Sequence, residues 1–381
     1  MNTVRAIDIR LLGKQRTGDE TVFFNLTKEL LGIDKEHTYL LLTDEREPQA
    51  IKFLQARLGC IGQSNVRIVS LRGKNRFVWN FVTLPWYLFT HHIDVFHTQY
   101  ILPLFVPNRT KVVDHIHDVS FAAYPELVGW RDRLFLSLLI PRSVQRANRL
   151  IAPSQFTKQE LHERYHVPVD KISVVTNALS EDFLALHQEG MTAQLKEKYL
   201  LPERYIAYVG TLQPRKNIPF LLQAFALLRK RIPDIHLVLV GKRFGHHYDQ
   251  AIEQILEEYQ LQEWVHFPGY VDQGDLPGLV HAASLFVFPS LYEGFGIPLL
   301  EAMSQEVPVV ASDIPCLREI GGEAVTYFDI SSLASCEEKL YTLLTDMNQR
   351  ENGVSLGRSR VSLFSWKKSA VKLLSVYDSV K

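Results

Sequence analysis

Short apolar runs alternate with longer stretches of helical periodicity along the whole chain. Runs of this length, rich in Val, Ile and Leu, predict strands buried on both faces of parallel sheets, with helices as the crossovers. In the first half the candidate strands are residues 4–9, 39–42, 66–69, 95–97, 111–116, 150–152 and 172–175, with helical patterns over 20–31 and 131–146. In the second half they are 205–209, 236–240, 265–267, 284–288, 307–311 and 324–327, with helices over 218–231, 248–259 and 333–347. Residues 1–183 therefore read as one Rossmann-like domain and 204–363 as a second, joined by a polar hinge over 184–203. The last segment, 364–381, reads as an amphipathic helix with Trp366, Val371, Leu374 and Tyr377 near one face.

Composition narrows the class. The chain has 381 residues, long for one core and sufficient for two domains. Its formal net charge is zero, so a nucleic-acid partner has no electrostatic support. Cys60, Cys316 and Cys336 are few, odd in number and form no C-x-x-C, as expected in a reducing cytosol without disulfides or a zinc site. The N-terminal residues show no signal-peptide pattern, and the most apolar stretch, 77–90, contains Pro85 and is too short to span a bilayer. A cytoplasmic location follows as the expectation. Phe77, Trp79, Phe81, Trp86 and Tyr87 read first as core, and the basic pattern over 131–149 reads first as a solvated face. The alternative for the basic helix is contact with an anionic membrane, at its inner face, and for the aromatic cluster it is a lipid-linked acceptor.

The candidate chemistry is concentrated in Pro289-Ser290-Leu291-Tyr292-Glu293-Gly294-Phe295-Gly296-Ile297-Pro298-Leu299-Leu300-Glu301. Two carboxylates stand eight residues apart across a Gly-x-Gly turn that follows a strand and opens a helix. The first N–H groups of such a helix point outward and seat a phosphate. This E-x7-E with its flanking Phe288-Pro289-Ser290, and Pro308 to Asp313 downstream, resembles the signature of retaining glycosyltransferases of family 4. The resemblance implies the GT-B fold, an α/β architecture of two Rossmann-like domains whose parallel sheets face a central cleft. It also implies a nucleotide-diphosphate-sugar donor. Glu301 would hold the ribose, Glu293 would face the sugar, and Gly294, Phe295, Gly296, Ile297, Pro298 and Leu299 would line the diphosphate.

A second loop, Gly210-Thr211-Leu212-Gln213-Pro214-Arg215-Lys216-Asn217, ends the first strand of the second half. Lys216 and Arg215 beside a helix start neutralise a diphosphate without a metal, and Asn217 is placed to cap the helix. The family carries both cations in a similar loop, although Thr211 stands where it often has Arg. By the same resemblance Gly269, Tyr270 and Val271 would line the nucleotide base. The chain has no G-x-G-x-x-G after its first strand. Gly13 and Gly18 have P-loop spacing, but Asp19 and Glu20 follow where Lys and Ser or Thr are required.

In the first half, Asp114-His115-Ile116-His117-Asp118-Val119-Ser120 lies at a strand end, with His115 and His117 on one face by period two. A metal would need a third ligand, which the spacing does not supply. The segment resembles the family's I-H-D-x-S, in which the residue corresponding to His117 contacts the transferred sugar. Asp118 orients it from behind or caps the turn. The loop over 11–20 is glycine-rich in the family; here Gly18, Asp19 and Glu20 fall in that place, and the acids are assigned to acceptor hydroxyls.

The expected activity is retaining transfer of a hexose, such as mannose or glucose, to a glycan or lipid-linked hydroxyl. No cofactor or required metal is expected. A GT-B phosphorylase or epimerase, and a catalytically inert nucleotide-sugar-binding module, are the competing readings.

Overall fold

The computed structural model describes residues 3–13, 18–127, 129–185, 190, 192–244 and 248–380. The chain divides into two compact units, Met1–Asn177 with Ser365–Lys381, and Ala178–Phe364. Residues 184–203 thus fall within the second unit. The first unit holds a seven-stranded sheet of β1 (Val4–Asp8), β2 (Thr38–Thr43), β3 (Val66–Ser70), β4 (Val95–Gln99), β5 (Lys111–His115), β6 (Arg149–Ala152) and β7 (Ile172–Val174), in the order β3-β2-β1-β4-β5-β6-β7. The second holds β8 (Tyr205–Val209), β9 (His236–Val240), β10 (Val265–His266), β11 (Leu285–Phe288), β12 (Val309–Ser312) and β13 (Val325–Phe328), in the order β10-β9-β8-β11-β12-β13. Every pairing is parallel. The expected strands are all present, within about two residues at each end, the usual uncertainty of a boundary.

Each sheet reverses its strand order once, between β1 and β4 and between β8 and β11. Ligands of open α/β sheets bind beyond the carboxyl ends of strands at such points. The β8 and β11 ends carry the Gly210–Lys216 and Pro289–Glu293 loops. The β4 end carries Gln99, and His117 follows β5.

One helix was not expected, and two expectations need correcting. The helix expected over 333–347 is Leu333–Thr345, and a further helix, Met347–Val361, follows Asp346, whose carboxylate accepts from Gln349 N at 3.1 Å. The second went unread because its polar sequence, with Gly353 and Gly357, has almost no apolar stripe. The terminal helix Trp366–Asp378 buries Trp366, Ala370, Leu373, Val376 and Tyr377, while Val371 faces out. Spacings of three and four select that set, and Val371 falls off the stripe. Of the aromatic group over 77–87, Trp79 and Tyr87 are core, but Phe77 is 44% and Trp86 73% exposed.

The terminal helix packs on Gly18–Ile33 in the first unit. Tyr377 Oη lies 2.6 Å from His97 Nδ1, and Asp378 pairs with the buried Arg5 at 2.7 Å. Arg5 also pairs with Asp34 at 2.8 Å, so its guanidinium enters the core compensated.

Candidate active site

In the second unit, the loops after β8 and β11 are stitched together. Leu291 N donates to Arg215 O at 2.9 Å, and Arg215 Nη1 donates to Tyr292 O at 2.6 Å. Where β8 and β9 end side by side, a Cβ on Gly241 would lie 2.2 Å from Gly210 O, so only glycine admits this approach. Lys216 ends a 3-10 turn, Pro214–Lys216, and is itself buried. Its ammonium pairs with Glu293 Oε1, while Arg215 Nη1 sits 3.1 Å from Glu293 Oε2. Two predicted cations and one predicted carboxylate, 77 and 78 residues apart in sequence, thus form one cluster. Burial alone would raise the Glu293 carboxyl, but Lys216 and then Arg215 outweigh it and hold the group down at about 2.

Asn217 adopts left-handed backbone, φ 57°, and its side chain makes no capping bond. The expected cap is therefore absent. Asn tolerates this conformation, which lets the chain turn from Lys216 directly into the helix Ile218–Arg229.

Gly296 opens the helix Ile297–Ser304 at φ 98°, a region that disfavours other residues. Pro298 has no N–H, and Leu299 N already donates to Gly296 O at 3.1 Å. The expected row of phosphate donors from Gly296 to Leu299 thereby narrows to the first two peptide groups. Glu301, further along the same helix, is pushed up to about 7 by burial and by the nearby Asp182 charge. The two glutamates of the motif thus sit in opposite electrostatic settings. Gly269 follows β10 at φ 77°, Tyr270 is 80% exposed, and Val271 packs partly on the core.

In the first unit, His117 is buried with its Nε2 3.0 Å from Gln99 Oε1 and its Nδ1 4.0 Å from Asp19 Oδ1. Its ring stacks on His115 at 4.3 Å, and Tyr100, at φ 58°, sets a ring 5.5 Å away. Gln99 and Tyr100 were not singled out in the sequence; their one signal was position at the end of a central strand. Asp118 accepts from Ser120 N and Oγ at 2.9 and 2.8 Å, so it caps the turn. No group of three metal-binding side chains occurs among the described residues. Of the acids beginning the helix Gly18–Ile33, Glu20 is buried and accepts from Gly13 N at 2.8 Å, which closes the loop. Asp19 remains partly exposed beside His117. The preceding residues 14–17, including Thr17, lie outside the described residues.

Residues 16–183 match the family described as Glycosyltransferase Family 4, and residues 192–360 match Glycosyl transferases group 1. The chain is 33% identical over 279 residues to the O-antigen chain mannosyltransferase B of Escherichia coli, covering 72% of each protein. It belongs to this glycosyltransferase family. A second relative, the O-antigen chain mannosyltransferase RfbU of Salmonella typhimurium, is 32% identical over 225 residues, 58% of this chain and 57% of RfbU. Among solved structures, sucrose-phosphate synthase from Thermosynechococcus elongatus superposes with a TM-score of 0.75 at 20% identity, covering 100% and 99% of the two chains. WaaG, a glycosyltransferase involved in lipopolysaccharide biosynthesis, does so at 0.73 and 16% identity, covering 98% and 99%. Those two likenesses establish the GT-B fold. The mannosyltransferase relatives favour sugar transfer over the phosphorylase, epimerase or inert-module readings. No helix among the described residues of this glycosyltransferase is long and apolar enough to cross a membrane.

Proposed function

We propose that this glycosyltransferase moves a hexose, mannose by the kinship of its relatives, from a nucleotide diphosphate to a glycan or lipid-linked hydroxyl with retention. The observation that carries this reading is the Lys216–Glu293–Arg215 cluster at the β8/β11 reversal. Lys216, Arg215 and the N–H groups of Gly296 and Ile297 receive the diphosphate. Glu301 accepts the ribose diol, and Gly210, Gly269, Tyr270 and Val271 line the nucleotide. As the bond from the anomeric carbon to the diphosphate breaks, its electron pair stays on the phosphate oxygen, where fixed cations stabilise it best. The acceptor oxygen bonds to that carbon on the same face and passes its proton to the departing phosphate. Here the two cations neutralise the charge for which other transferases recruit a divalent ion. Glu293 and His117 contact the sugar, and Gly18 and Asp19 lie on the acceptor side, with Glu20 holding their loop. The hinge is assigned to 184–203, and the protein works at the inner face of a membrane.

Thermal-shift measurements with UDP-, GDP- and ADP-sugars test the donor class. The matching nucleotide at 100 times its Kd adds about 2.7 kcal/mol of stability. Stabilisation by none of them refutes the reading. The Glu301 carboxyl titrates near 7 in the empty site, and a diol favours its charged form. Nucleotide affinity is therefore complete above that pH and declines as pH falls through it, by up to ~10-fold per unit. Calorimetry at several pH values should show the slope in the natural protein and none in Glu301→Gln. Asp19→Ala should raise the acceptor KM and leave the donor KM unchanged; the reverse pattern would remove Asp19 from the acceptor side.

A further inference from the structure

We propose that the first unit carries a docking surface for anionic lipid headgroups, built by residues 72–90, the loop over 101–106 and the helix Trp130–Arg146. The inference deepens the membrane-face placement above by naming the surface and its partner. Val82, Trp86 and Phe89 are 60%, 73% and 54% exposed, at spacings of four and three along one helical stretch. Leu134 and Leu138, four apart on the second helix, are 56% and 66% exposed. The segments adjoin. The Phe77 and Phe135 rings meet at 5.1 Å, Leu104 N donates to Asn80 O at 3.0 Å, and Arg142 donates to Leu104 O. Phe105, beside that junction, is 58% exposed. A run of large exposed apolar side chains on adjoining segments marks a contact surface rather than ordinary exterior.

Charge identifies the occupant. Residues 71–113 and 129–149 contain ten Lys and Arg, five in each stretch, against two acids, Asp94 and Asp132. Arg72, Lys74, Arg76, Arg109 and Arg133 are exposed. Arg76 lies over the Phe77 and Phe135 rings at 5.2 and 4.9 Å, so its charge sits on the apolar ground itself. A second copy docking through the same patch would set cation against cation. An anionic bilayer satisfies both features, with Trp, Phe and Leu at headgroup depth and Arg and Lys on the phosphates.

The test is flotation of the full chain with vesicles of phosphatidylcholine, with and without phosphatidylglycerol. Binding is expected to the anionic vesicles only, falling at least ~10-fold when salt is raised from ~0.1 to ~0.5 M. Trp86→Ser with Phe89→Ser, and separately Arg72→Glu with Lys74→Glu, should each lower binding ~10-fold while the nucleotide-induced thermal shift stays intact. The second pair alters only exposed polar positions, which covers the case in which the first does not fold. Failure of the natural chain to float, or flotation unchanged in the charge-reversed variant, overturns the proposal. So does a dimer that the aromatic pair dissociates without any vesicle binding. Because flotation requires no turnover, it separates this surface from the catalytic assignment.

Discussion

Lys216→Met is expected to lower kcat by ~10²–10³ at saturating donor and to weaken nucleotide-diphosphate binding, as loss of a preorganised charge partner for the leaving group does. It should also destabilise the empty protein. Glu293 is buried, and its carboxyl is held at about 2 chiefly by Lys216. Removing that partner leaves Arg215 at 3.1 Å as the remaining cation on the carboxylate and costs ~2–4 kcal/mol. The pH dependence has a fixed sign. A carboxyl depressed on folding contributes stability that is present above its unfolded value of about 4.5 and lost as pH falls toward 2. In the variant the depression is smaller, so the midpoint of acid unfolding followed by circular dichroism should move upward. Lys216→Arg keeps the charge but spreads it over a fork of different reach, and partial recovery is expected. A kcat within tenfold of the natural protein would remove Lys216 from the chemistry.

The fold was legible because most strands among the described residues are buried and read as continuous apolar runs. The helix Met347–Val361 was not, since its polar face is read by pattern as loop. The glycine turn at Gly294–Gly296 and the cations at Arg215 and Lys216 were visible as motifs, but their union on one carboxylate joins residues 77 and 78 apart. No local pattern contains such a distance. The surroundings of His117 show the same limit. Gln99 reaches it from the neighbouring strand, and Asp19 reaches it from a helix nearly a hundred residues earlier. Glu20 was assigned with Asp19 to acceptor hydroxyls, yet it is buried and its carboxylate receives the Gly13 N–H. The aromatic stretch over 77–90 misled in the opposite direction. Apolar composition signals burial on average, and only its periodicity against Trp79, Leu84 and Leu88 decides which rings face out.

Glu293→Gln should separate turnover from binding. The amide keeps the shape of the side chain but gives up the charge that engages Lys216 and Arg215. Both cations are then available to a diphosphate without first leaving a carboxylate, so nucleotide affinity should stay level or tighten. Turnover should instead fall ~10²–10³, because the developing positive charge on the sugar loses its nearby anion. The empty variant retains Lys216 buried beside Phe288 without the Glu293 charge, and a bound diphosphate supplies negative charge in its place. The nucleotide-induced rise in Tm should consequently be larger in Glu293→Gln than in the natural protein, while Lys216→Met shows a smaller one. Steady-state kinetics with calorimetric nucleotide titration of both variants decides the matter. Equal losses of affinity and turnover in Glu293→Gln would place Glu293 in donor binding and leave the sugar-facing role to another residue.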